Sequence, residues 1–354
     1  MTMGDKDIGF PPRMAGRGQV AGRTVGHHGP AVVALGGGHG LSMSLKALRR
    51  LTDDVTAIVG VADDGGSSGR IRSELGLPPP GDLRMALAAL CGDDAWGRTW
   101  SQVMQHRFAG DGEMAGHATG NLLIAALWEE TGNLVAGLDW VAALLGAHGR
   151  VLPVATVPLN IVADVRGADP AAPDAITTVV GQVELEHSSG SVVELKVEPE
   201  NPPACPEAVA AITNAESIVL GPGSWYTSVL PHLLVPGVRR ALAQARAPRI
   251  LVLNLDGRNA TPGAGVGSIQ DFTSAEYLTV WHELFPEVGL DYVLADPRCV
   301  DDIDELEVAC KEVGAELVLE RVSVAQSGSK GTTPRHDTHL LAAALGNLLP
   351  RGNI

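Results

Sequence analysis

Six short stretches of this chain place glycines beside carboxylates, hydroxyls, amides or guanidinium groups at spacings that suit anion chemistry. The first is Gly36-Gly37-Gly38-His39-Gly40-Leu41. Its glycines leave room for backbone N–H groups to approach a phosphate, and a helix beginning there adds about half a positive charge. A dinucleotide fingerprint wants glycine where Leu41 stands, so the match is incomplete and a tight structural turn is the competing reading. His39 could add a donor or could simply pack. The second stretch is Asp63-Asp64-Gly65-Gly66-Ser67-Ser68-Gly69-Arg70. A carboxylate there can accept from ribose hydroxyls or hold Mg²⁺, Ser67 and Ser68 offer hydroxyls in a loop expected to be mobile, and Arg70 would counter a phosphate. In the third, Pro80-Gly81-Asp82-Leu83-Arg84, capping explains Asp82 as well as chemistry does. Arg84 stands against the dipole of the helix it opens, which favours ligand contact.

Asn121, at the end of Gly116-His117-Ala118-Thr119-Gly120-Asn121, either caps the following helix or reads a base or sugar through its amide. Gly221-Pro222-Gly223-Ser224-Trp225-Tyr226-Thr227-Ser228 is a second anion loop, with Ser224, Thr227 and Ser228 as donors. It is not a G-x-S-x-G elbow, so covalent catalysis through Ser224 is not expected. Arg335, just ahead of a helix that Asp337 would cap, is free to meet an anion. There is no HExxH motif and no Cys/His cluster, so a metal is expected only as Mg²⁺ on Asp63 and Asp64, together with a phosphate.

These stretches lie where short apolar runs end. Ala31–Leu35 reads as a buried parallel strand, the leucines from Leu41 to Leu51 as a helix, and Thr56–Val61 as a second strand: a βαβ unit with a right-handed crossover. Met85–Leu90, Gly120–Glu130 and Asp139–Leu145 read as helices. From Thr177 to Val197 the period changes towards two, with strands expected over Gln182–Glu186 and Val192–Leu195 and a turn at His187–Gly190. Strands return at Ser217–Leu220, Arg249–Leu253, Tyr292–Ala295 and Glu316–Leu319, and a helix closes the chain from about Asp337 to Leu349. The expected fold is α/β: a Rossmann-like, doubly wound, mostly parallel sheet over 31–349, with an antiparallel β insertion at about 168–202 and a disordered tail over 1–30.

Composition narrows the function classes. Of 354 residues, 45% are hydrophobic and 19% charged, enough apolar mass for a sizeable core. The net charge of −15 repels phosphate backbones at long range, so no nucleic-acid partner is expected, although a local basic pocket can still hold a small anion. No apolar run is long enough to span a bilayer, so no membrane insertion is expected. The four scattered cysteines suit a reduced cytoplasm.

In this order, the six stretches resemble the YvcK family of bacterial gluconeogenesis factors. The likeness rests on Gly36–Leu41, Ala62–Arg70, Pro80–Arg84, Gly116-His117, Gly120–Leu123, Leu220–Pro236 and Arg335-His336. The resemblance implies a CofD-like, Rossmann-type fold that binds UDP-N-acetylglucosamine and acts as a sensor in cell shape, peptidoglycan precursor control and growth on gluconeogenic carbon sources. It implies no required cofactor. By matching position, Gly37, Gly38, His39, Gly40, Asp63 and Asp64 would line one side of the nucleotide-sugar site. Asn121 and the loop carrying Gly221, Gly223, Ser224 and Thr227 would line the other, and Arg335 would pair with the diphosphate. Phe272 stands where the family usually has Tyr, so stacking survives while a hydroxyl contact is lost. Cell-wall synthesis proteins, a Ser/Thr kinase acting near Thr332, Thr333 or Thr338, and a homodimer are the partners to test. Related CofD enzymes transfer 2-phospholactate at an Asp-rich, metal-assisted site, which keeps a Mg-dependent transferase as the alternative. An NAD-binding oxidoreductase, suggested only by the βαβ start and the acid after the second strand, is a further one.

Overall fold

Val32 to Gly36 are buried at every position, the signature of a strand covered on both faces. That strand is the centre of a computed structural model which describes residues 29–169, 171–255, 273–328 and 331–350. The chain runs β1 (Val32–Gly36), α1 (Gly38–Leu48), β2 (Val55–Val59), α2 (Gly66–Leu75), α3 (Gly81–Leu90), α4 (Ala95–Gln105), α5 (Thr119–Thr131), α6 (Leu134–Leu145) and β3 (Arg150–Pro153). An antiparallel unit follows, made of β4 (Asn160–Arg166), β5 (Ile176–Val180), α7 (Gln182–His187) and β6 (Ser191–Glu198). The remainder is α8 (Pro206–Asn214), β7 (Ser217–Leu220), α9 (Pro236–Gln244), β8 (Arg249–Val252), α10 (Ser274–Leu284), β9 (Tyr292–Ala295), α11 (Ile303–Glu312), β10 (Glu316–Leu319), β11 (Ser323–Gly328), β12 (Gly331–His336) and α12 (Thr338–Leu348).

Seven strands form one sheet in the order β10-β9-β8-β7-β1-β2-β3, and every pairing in it is parallel. The chain winds outward from β1 through β2 to β3, then returns to β7 on the other side of β1 and winds outward again. Right-handed crossovers in opposite directions put helices on both faces. They also open a crevice at the carboxyl ends of β1 and β7, the switch point where open α/β sheets bind ligands. The expected Rossmann-like, mostly parallel architecture is therefore the one observed.

Three local expectations differ from the structure. Gly65–Ser68 is not a mobile loop: α2 starts at Gly66, and Ser67 and Ser68 are buried in its first turn. Gln182–Glu186 is not a strand. Gly181 takes φ +104°, which breaks the extended run, and the Asp64 carboxylate accepts the Val183 N–H at 3.1 Å, capping a short helix from a distant part of the chain. The antiparallel sheet accordingly has the order β5-β4-β6 and takes in β4, which starts at Asn160. Arg335-His336 ends the β11–β12 hairpin directly ahead of α12, which Asp337 caps as expected through the N–H groups of His339 and Leu340. Asp82 and Asn121 lie inside the first turns of α3 and α5, whose caps are Pro80 and Ala118. The expected tail over 1–30 falls almost wholly outside the described residues, as does Phe272.

Candidate functional site

The two glycine turns meet at the switch point. Gly37 is extended and precedes α1, and Gly38 takes φ +57°, a left-handed conformation that costs other residues about 1–2 kcal/mol. A Cβ on Gly40 would fall well inside contact with the Pro222 carbonyl oxygen, so the start of α1 lies directly on the Gly221–Gly223 turn. Buried Ser44 clamps that turn by donating to the Gly221 carbonyl at 2.8 Å, and the Gly221 N–H donates to Leu35 at 3.0 Å. Trp225–Val229 then forms a single π-helical turn, a geometry found often at functional sites. His39 is exposed at the mouth. Ser224 Oγ and Trp225 Nε1 are buried with no hydrogen-bond partner among the described residues.

Two carboxylates face these turns. A Cβ at Gly37 would stand 2.5 Å from Asp82 Oδ2, and one at Gly81 would stand 2.7 Å from Asp63 Oδ2 and closer still to Ser68 Oγ. Glycine at 37 and at 81 is what allows Asp82, Asp63 and Ser68 to gather here. Protein surrounds Asp82 except on its cleft side; this desolvation, with Asp63 close by, pushes its carboxyl up to about 7 against the opposing pull of the Gly38 N–H and Arg84. Buried Arg84 supplies the counter-charge. Burial lowers its affinity for a proton to a pKa of about 10, still well above neutrality, so it stays cationic.

Behind the carboxylates runs a satisfied hydrogen-bond chain. Ser67 Oγ accepts from the Ala118 N–H at 3.2 Å and from Asn121 Nδ2 at 3.0 Å, which leaves its own hydrogen for His117 Nδ1 at 3.1 Å. Burial and Arg70 lower the His117 pKa, in keeping with a neutral ring that accepts at Nδ1. Asn121 Oδ1 in turn accepts from Arg84 Nε at 2.8 Å, and Arg84 also donates to Gln105 Oε1. Ser67 and Asn121 are thus spent on positioning Arg84 and the start of α5. Replacing Ser67 with Ala strands two buried donors and should destabilise the protein by about 1–3 kcal/mol in urea titration. A loss below about 0.5 kcal/mol would contradict this arrangement.

Three other residues singled out in the sequence point elsewhere. Arg70 donates to the Glu113 and Ala115 carbonyls at 2.9 and 2.7 Å, fastening the 106–117 loop. Asp64 holds α7, and its close approach to Gly181 leaves no room for a side chain there. Thr227 donates to Glu186 Oε1 on α7 at 2.9 Å. These two contacts lay the antiparallel unit against the crevice and bring in Glu186, which contributes to the repulsion on Asp82. Glu186 had no signal in the sequence, because six residues are too few for a helical period to declare itself.

Arg335 is exposed on β12, opposite Val324. Its hairpin is anchored on the carboxyl side of β9, where Asp296 accepts the N–H groups of Val322 and Ser323 at 3.1 and 2.9 Å and pairs with Arg298 at 2.9 Å. Burial opposes the Asp296 charge, but these donors outweigh it and hold the carboxyl well below the usual range. Arg335 therefore sits on the same rim as the crevice, two strands along from β7.

The family model for 2-phospho-L-lactate transferase CofD matches residues 32–316. The chain belongs to the CofD family, in its gluconeogenesis-factor branch, known also as YvcK or UPF0052. Across 89% of this chain and 85% of its own length, the "Putative gluconeogenesis factor" of Mycobacterium leprae is 47% identical. The gluconeogenesis factor of Bacillus subtilis is 33% identical over 90% of this chain and 98% of its own length. A crystal structure of a UPF0052 family protein from Bacillus halodurans superposes with a TM-score of 0.76 at 31% identity, covering 90% of this chain and all of that one. The family match runs from β1 through β9, so the crevice and its two glycine turns lie inside it.

Proposed function

We propose that this protein is a cytoplasmic regulator that binds UDP-N-acetylglucosamine at the β1–β7 switch point and reports its level to cell-wall synthesis and growth on gluconeogenic carbon. The observation that carries the reading is the meeting of two glycine turns, the α1 N-terminus and the Gly221–Gly223 loop, at one crevice. Backbone N–H groups at a helix start suit a diphosphate. Gly37, Gly38 and Gly40 would cradle it, Ser224 and Ser228 would donate from the second turn, and Arg335 would reach it from the hairpin as a charge-assisted partner. The unpartnered Ser224 hydroxyl is a donor in want of an acceptor. Binding is tested at Arg335: Arg335→Ala should weaken UDP-N-acetylglucosamine by about 1.5–3 kcal/mol in calorimetry, the scale of a charged hydrogen bond. Near wild-type affinity would remove Arg335 from the diphosphate.

A second reading, a Mg-dependent transferase of the CofD type, is favoured by one observation: Asp82, with its pKa near neutrality, stands beside Asp63. Such a carboxyl can exchange a proton at working pH. The two carboxylates fit a hard cation that takes its remaining ligands from water and a diphosphate. Among the described residues no group of three or more His, Cys, Asp or Glu side chains converges on a metal position, so the protein would supply only part of the shell. Mg²⁺ bound there would neutralise diphosphate charge; Asp82, its proton released on metal binding, would hold the cation with Asp63, and Arg84 would balance the pair. Turnover of a nucleotide donor with Mg²⁺ and an acceptor separates this reading from the first.

A further inference from the structure

A second cavity lies at the other end of α1. It has a volume of about 220 Å³ and is lined by Lys46 and Arg49 from the end of α1, by Ala88, Ala89 and Cys91–Asp93 around the end of α3, and by Arg98, Ser101 and Gln102 from α4. Since α1 has 11 residues, the cavity is about 16 Å from the switch-point crevice along the helix. In a chain of net charge −15, three cations around one small hollow are a strong local reversal. Asp93 is the one carboxylate in the lining; it pairs with Arg49 at 2.5 Å and is 71% exposed, so solvent screens much of its charge. Lys46 has no ion-pair partner among the described residues, and Arg49 Nε is buried there without an acceptor.

Helix ends account for part of this arrangement. Lys46 and Arg49 would be favoured at the negative end of α1 whatever else the cavity did. Arg98 is different, because it lies in the first turn of α4, the positive end, where a cation is disfavoured. Its guanidinium reaches the Asp93 carbonyl rather than a carboxylate. Asp94 caps α4 through the Gly97 N–H at 2.7 Å, so its charge is already engaged.

We propose that this cavity binds a phosphate group, as inorganic phosphate or on a small phosphorylated metabolite, between Lys46, Arg49 and Arg98. Its volume is below the roughly 300–1,000 Å³ of drug-sized sites, which excludes a whole nucleotide sugar. Because α1 and α3 begin at the Gly37 turn and at Asp82 and end at this cavity, an anion here bears on the two helices that build the crevice. The assignment stands on this cavity alone and does not depend on the proposed function.

The test is calorimetric titration of the full chain with inorganic phosphate and with a hexose monophosphate, at ionic strength held constant with potassium chloride. It is then repeated on a Lys46→Ala/Arg98→Ala variant. Arg98 is exposed and Lys46 half-buried, so the variant should keep its thermal midpoint. Saturable binding that weakens at least about tenfold in the variant is expected, as loss of charged contacts requires. The stronger of the two ligands identifies the source of the phosphate. Equal binding by wild type and variant would place the anion at the crevice and overturn the proposal, as would no saturable binding of either ligand. A variant with a lowered thermal midpoint is replaced by Lys46→Gln/Arg98→Gln, judged by the same outcomes.

Discussion

Asp82→Asn should make the protein more stable at pH 8 and remove most of the fall in its stability between pH 4 and 8. A free aspartate titrates near about 3.9, whereas Asp82 in the fold titrates near 7. The folded state therefore holds this proton more tightly than the unfolded one. Its contribution is complete below the unfolded pKa and is lost as pH rises through the folded value, so wild type weakens from about pH 4 to about pH 7. Asparagine can still accept the Gly38 N–H while carrying no charge towards Asp63. Solvent reaching the open side of the carboxylate screens part of the penalty, which leaves an expected gain of about 1–3 kcal/mol at pH 8. Urea midpoints measured at pH 5 and pH 8 check this: the variant's two midpoints should lie closer together than those of wild type. Parallel shifts would contradict the repulsion between Asp63 and Asp82. The same pair bears on binding, because an ionised Asp82 repels a diphosphate. Anion affinity in wild type should fall above pH 7, and the variant should escape that fall.

The second large effect is at Gly40. A methyl group there would collide with the carbonyl group of Pro222 and approach the Gly223 N–H at 3.1 Å, atoms of a backbone turn that Ser44 and Leu35 hold in place. Neither partner can rotate away as a flexible side chain could. Gly40→Ala should cost about 3 kcal/mol, the upper end for overpacking, and should abolish anion binding by prising α1 off the second turn. Gly38→Ala provides the contrast. No atom lies within 4 Å of a Cβ there, so its cost is the left-handed strain alone, about 1–2 kcal/mol. Denaturation of the two variants side by side checks the account; equal losses would mean that the turns do not meet as described.

Much of this was legible from residue types. Short apolar runs marked β1, β2, β7, β8, β9 and β10, those of β1 and β7 ending at glycine; a parallel strand buried on both faces admits few polar residues. Glycine turns placed at strand ends marked the crevice. What could not be read was set by contacts between distant segments. Asp64 looked like a ligand to sugar or metal, yet it caps α7, which formed because Gly181 broke a strand-like pattern. Ser67 and Asn121 had the chemistry of ligand contacts and are instead joined to each other, with His117 and Arg84 at either end. Arg84 was singled out by its position against the helix dipole, and its reason is the half-buried pair of carboxylates beside it. Gly81 showed no sign of its importance, since a glycine that makes space for two side chains looks like any other in a sequence.

As a sensor's site, the switch-point crevice is proposed to take a nucleotide sugar and leave it intact. The direct measurement is a thermal-unfolding titration with UDP-N-acetylglucosamine, beside UDP and NAD, with and without Mg²⁺, followed by recovery of the ligand. At about 100 times its Kd the ligand should add roughly 2.7 kcal/mol of stability. UDP-N-acetylglucosamine should give this shift and be recovered unchanged in both conditions. A shift with NAD alone, or loss of the nucleotide sugar when Mg²⁺ is present, would contradict it.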